Sequence, residues 1–70
     1  MFVEVKGRDI WVNRNLIEVI EVKEEGSFMC VVVYMTSGDS FTVARYTFRE
    51  DAVEFAKNLT GEKYESVRNT

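Results

Sequence analysis

Histidine and proline are absent from the 70-residue chain, and cysteine occurs once, as Cys30. Each absence removes a class of chemistry. Without histidine the commonest general base is missing, and with a single cysteine the usual ligand sets of zinc, iron–sulfur and haem sites cannot be assembled. A lone cysteine also rules out an intramolecular disulfide, and with it a disulfide-stapled secreted domain. No run approaches the 18 or so uncharged apolar residues of a membrane span. The start, Met1-Phe2-Val3-Glu4-Val5-Lys6, lacks the basic head and apolar core of a signal peptide, so the expectation is a cytoplasmic protein without membrane contact. Basic residues are the minority, nine against twelve acids for a net charge of −3, which disfavours duplex DNA and anionic lipid as partners.

What is present suits a folded domain. The chain is 46% hydrophobic and carries nine aromatic residues, far from the composition of disordered segments. Seventy residues hold one core, here read as a single α+β domain over residues 1–61 followed by a C-terminal tail over 62–70, mobile or ordered only against a neighbour. Domains of this size usually add a disulfide, a metal or a subunit to a thin core, and with the first two removed the expected supplement is oligomerisation.

The first half reads as strands and turns. Phe2 to Lys6 alternates, Gly7-Arg8-Asp9 is a turn, and Ile10-Trp11-Val12 resumes an apolar run, giving an N-terminal hairpin. Asn13-Arg14-Asn15 bends the chain. Leu16 to Lys23, rich in β-branched residues, reads as a strand closed by the turn Glu24-Glu25-Gly26-Ser27. Phe28 to Met35 is the strongest strand, apolar at both parities, with Cys30 inside it as a small buried hydrophobe. After a turn at Gly38, Phe41 to Tyr46 returns, and simple alternation places Phe41, Val43 and Arg45 on one side. Thr47 with Glu50 three residues later reads as a capping box opening a helix. Phe48, Ala52, Phe55, Ala56 and Leu59 form its inner face, and Gly61 is its left-handed stop. The fold expected is a four- to five-stranded twisted antiparallel sheet with one C-terminal helix.

One helix covers one face of a sheet, whereas Phe28–Met35 is apolar on two. The second face then needs either curling of the sheet toward a barrel or another subunit, and the likeness to a homodimer surface falls on Phe28, Val32 and Tyr34 or on their alternates Met29, Val31 and Val33.

Catalytic patterns are missing. Glu50 and Glu54 lie one turn apart on the helix but read as a solvated face, no nucleophile elbow occurs, and the four glycines are too widely spaced for a phosphate loop. Trp11, Phe41 and Tyr46 read first as core. As an alternative, Trp11 and Tyr46 with Arg14 and Arg45 would make a stacking platform with basic edges for nucleic acid.

From Ile10 through Leu59 the order is a strand, the phrase Val12-Asn13-Arg14-Asn15-Leu16-Ile17-Glu18-Val19-Ile20-Glu21, a strand, a glycine turn at Gly38, a strand and a helix. This resembles the small flagellar FlbD-like proteins, which carry a similar Asn-x-x-Leu-Ile-Glu-x-Ile phrase. The order is also similar to the LytTR DNA-binding domain, without the basic residues of a DNA reader. Both resemblances imply a binding role and supply no catalytic residues. The expectation is a small non-enzymatic binding or regulatory protein that acts through protein contacts as a homodimer and takes no cofactor. A nucleic-acid-binding module and a mobile-element accessory protein that inhibits a host factor are the alternatives.

Overall fold

A computed structural model describes residues 1–61; the expected tail lies outside them. Strands β1 (Phe2–Glu4) and β2 (Trp11–Asn13) pair antiparallel as a ribbon, with Val3 opposite Val12 and Glu4 opposite Trp11. The turn between them carries Gly7 at φ 77°, in the region that only glycine occupies without strain. A 3-10 turn over Arg14–Leu16 follows, capped by Asn13, whose Oδ1 accepts the backbone N–H of Asn15 at 2.9 Å. Next come β3 (Ile17–Glu25), β4 (Phe28–Met35) and β5 (Ser40–Tyr46), an antiparallel meander with β4 in the middle. Helix α1 (Arg49–Leu59) closes the described chain and packs across all three strands.

The strands therefore form two sheets, of two and three strands, and not the single four- or five-stranded sheet that alternation suggests; neither closes into a barrel. The division falls at the 3-10 turn. It redirects the chain after β2, so the ribbon meets the meander through side chains, Val5 and Val12 entering the common core. Two backbone hydrogen bonds tie the junction: Arg14 N–H to the Met1 carbonyl at 2.8 Å and Thr36 N–H to the Leu16 carbonyl at 2.9 Å.

The core is made of small residues. Val5, Val12, Val31, Val33, Met35, Val43, Ala44, Ala52 and Leu59 are its buried members. No aromatic side chain among the described residues is fully buried: Phe41, Tyr46 and Phe55 pack at its margin, Tyr46 against Phe55 with ring centroids 6.0 Å apart.

Two irregularities set which side chains face inward. In β3, Glu18 is the extra residue between Ile17, opposite Met35, and Val19, opposite Tyr34. In β5, Val31 faces Ala44 while Val32 faces Thr42, so Val43 is the extra residue and both Val43 and Ala44 are buried. Past this bulge the pleat changes parity: Tyr46 turns inward and Arg45 outward, separating Arg45 from Phe41 and Val43.

The helix also starts later than the capping box implies. Phe48, in extended conformation (φ −108°, ψ 141°), is the N-cap and contributes no side-chain hydrogen bond, which leaves Thr47 outside the helix and takes Phe48 off the inner face, 65% exposed. The rest of that face behaves as expected, with Ala52 and Leu59 buried and Phe55 and Ala56 packed on the core. Glu50 and Asp51 in the first turn and Lys57 in the last complement the helix dipole. At the end, Gly61 takes φ 76° and its N–H reaches the Asn58 carbonyl at 3.2 Å.

Candidate interaction surfaces

Cross-strand partners share a face, so the register decides which candidates stand together. Met29, Val31 and Val33 lie on the face that α1 and the ribbon cover; Val31 and Val33 are wholly buried and unavailable to a partner. Phe28, Val32 and Tyr34 lie on the opposite, outer face, with Cys30 between them.

That outer face is covered largely from within. Val32 stands opposite Glu21, Cys30 opposite both Lys23 and Arg45, and Phe28 opposite Glu25. Long side chains from the two flanking strands lean over the apolar row and keep their charged ends in water. The Arg45 guanidinium carbon sits 5.8 Å from the centre of the Phe28 ring, and Lys23 Nζ lies 3.8 Å from Glu25 Oε2. Cys30 Sγ donates toward Glu25 Oε1 at 3.8 Å, and Tyr34 donates to Glu21 Oε1 at 2.6 Å. Cys30 and Val32 are consequently buried without a second subunit, while Phe28 and Val19 stay about half exposed. The size argument for a homodimer therefore loses part of its premise at this face.

The Tyr34 phenol is raised above its ordinary range, first by its hydrogen bond to the Glu21 carboxylate, then by desolvation and by the negative charge itself.

The residues considered for nucleic acid do not converge. Arg45 and Tyr46 are neighbours in sequence on opposite faces of β5, Tyr46 turned to Phe55. Arg14 packs against the end of α1, where its guanidinium occupies the space that a side chain at Gly61 would need. A cation there also suits the helix C-terminus. Trp11 is on the solvent side of the ribbon, opposite Glu4.

Trp11 leads to a surface that the sequence reading did not single out. Phe2, opposite Asn13, is the diagonal neighbour of Trp11 on the same side of the ribbon, and the two are 63% and 56% exposed. Their alternates Val3 and Val12 take the core side. Phe2 was legible as a member of the Phe2–Lys6 alternation, at the parity opposite to Val3 and Val5. The register with β2 then adds Trp11 to its side.

An open depression along Arg49, Val53 and Lys57 is lined by α1 alone among the described residues. No group of three or more metal-ligating side chains occurs among the described residues, and no helix there is long and apolar enough to cross a membrane. No family model matches the chain, and neither a curated protein nor a solved structure matches it.

Proposed function

We propose that this chain is a small non-enzymatic binding protein that works through protein contacts, that its contact surface is the outer side of the β1–β2 ribbon, and that a second copy of the chain is its partner. The observation that carries the proposal is the placement of the aromatics: the buried core is wholly aliphatic, seven of its nine members valine or alanine, while Phe2, Trp11, Phe28 and Phe48 remain exposed. Aromatic residues carry the largest hydrophobic payload and dominate interface energetics, so leaving them in water forgoes stabilisation that association recovers. Phe2 and Trp11 are the pair that the register brings together, and Glu4 is the sole charge among the strand residues on their side. A nearly uncharged aromatic patch suits an isologous contact, in which the same surface meets itself. The likeness to FlbD-like proteins agrees with a binding role.

Trp11 is the only tryptophan in the chain, which makes the contact directly readable. Sedimentation at tens of micromolar should give twice the chain mass, with a blue shift of tryptophan emission that grows with concentration, and Phe2→Glu should abolish both. A monomer with concentration-independent emission overturns self-association.

A further inference from the structure

We propose a second site: the cleft between the β1–β2 turn and strand β5 binds the phosphate group of a small phosphate ester, of about the size of a mononucleotide. The cleft measures about 390 Å³. Lys6, Gly7 and Arg8 of the turn line one side, and Ser40, Thr42 and Arg45 of β5 line the other.

Charge is the first argument. The chain is acidic, yet three of its nine basic residues line this one cleft and no carboxylate lines it. Lys6, Arg8 and Arg45 have no carboxylate within ion-pair distance among the described residues; the ion pair seen there is Lys23–Glu25, on the far strand of the meander. Mutual repulsion of three unpaired cations is relieved by an anion between them.

Donor count is the second. The hydroxyls of Ser40 and Thr42 donate to no partner among the described residues. Ser40, Phe41 and Thr42 are consecutive, and consecutive strand residues alternate faces, so a cleft that touches all three runs along the edge of β5. That edge has no neighbouring strand, since β5 ends the order β3-β4-β5. Two guanidinium forks, an ammonium and two hydroxyls match the three oxygens and double charge of a phosphate monoester, whereas a carboxylate would use one fork.

Size and the remaining wall give the third. A phosphate group fills only part of this volume, and Phe41 offers an apolar surface beside the space left over. The group esterified to the phosphate belongs there. Arg45 lines the cleft from the outer face of β5, where its guanidinium also lies 5.8 Å from the centre of the Phe28 ring, a contact that a bound phosphate would share or displace.

The test is an amide chemical-shift titration of the full chain at low salt with inorganic phosphate, adenosine 5′-monophosphate and a five-nucleotide oligothymidine. The mononucleotide is expected to shift residues 6–8 and 40–45 and to bind more tightly than inorganic phosphate. Arg8→Gln and Arg45→Gln should each weaken it about tenfold, with far-UV circular dichroism confirming the fold. Absence of shifts at millimolar mononucleotide, or shifts that both variants leave unchanged, overturns the site. Binding of the oligonucleotide alone also overturns it, by assigning the cleft to a polymer. Equal affinity for inorganic phosphate and the mononucleotide overturns the role given to Phe41.

Discussion

The two faces of β4 have nearly the same hydrophobicity and are covered by different means. Met29, Val31, Val33 and Met35 lie beneath other elements of the fold, α1 and the ribbon, and their burial depends on tertiary packing. Cys30 and Val32, between the more open Phe28 and Tyr34, lie beneath the side chains of their own sheet neighbours, and their burial depends on register and on long amphipathic stems. A strand that is apolar on both faces thus does not require a layer on each. Glu21, Lys23 and Glu25 on one side and Arg45 on the other suffice to exclude water from the middle.

The sharpest way to break this equivalence is truncation on each face. Val33→Ala removes atoms from a site with no exposure and should cost about 2–3 kcal/mol, a large share of the stability of so small a domain. Val32→Ala, where Val32 is 8% exposed and flexible stems can settle into the gap, should cost about 1 kcal/mol. Denaturant midpoints at constant m-value provide the comparison; equal losses would mean that the outer face is packed as rigidly as the inner.

A smaller effect tests the cover itself. Replacing Lys23 and Glu25 together by alanine removes an exposed ion pair worth less than about 1 kcal/mol, so the midpoint should barely move. The same change uncovers Cys30, and its labelling by a thiol reagent should accelerate severalfold. An unchanged labelling rate would show that the stems are not what shields the thiol.

The smallest effect is a titration. The folded value of Tyr34 is raised, so what its hydrogen bond to Glu21 contributes is complete at neutral pH and is lost as pH rises above the ordinary tyrosine range through the Tyr34 value. Absorbance titration should show a tyrosine ionising above the ordinary tyrosine range, and Glu21→Gln should lower it. If Glu21→Gln leaves the titration unchanged, the Tyr34–Glu21 bond does not persist in solution.

The same contrast separates what was legible in the sequence from what was not. Hairpin, meander and helix follow from β-branched runs, glycine turns and the Ala52-Phe55-Ala56-Leu59 spacing, because each signal is local. Which parity faces the core is a property of pairs. Ile10-Trp11-Val12 contains no alternation, and Trp11 goes outward because the register sets Val12 against Val3. Expecting Trp11 to be core fails for that reason, while Phe41 and Tyr46 do pack on the core side; Arg45 and Tyr46, as consecutive strand residues, stand on opposite faces. The parity change was visible in Phe41-x-Val43-Ala44-x-Tyr46, an apolar pattern that shifts from odd to even positions, once such a shift is read as a bulge. The late start of α1 had no such signal: Thr47 with Glu50 fits a capping box in spacing, and the chain begins the helix one position further on.

The extra residue in β5 gives one position of the ladder two buried side chains, Val43 and Ala44, where a regular strand would offer one. Removing Val43 would close the bulge into a regular ladder, with Thr42 still opposite Val32 and Ala44 still opposite Val31. Arg45 would still stand opposite Cys30 and Tyr46 opposite Met29, and the loss would be that of one buried valine. A change in the length of β5 is therefore absorbed most readily at this one place, where the strand already holds a residue that the ladder does not pair.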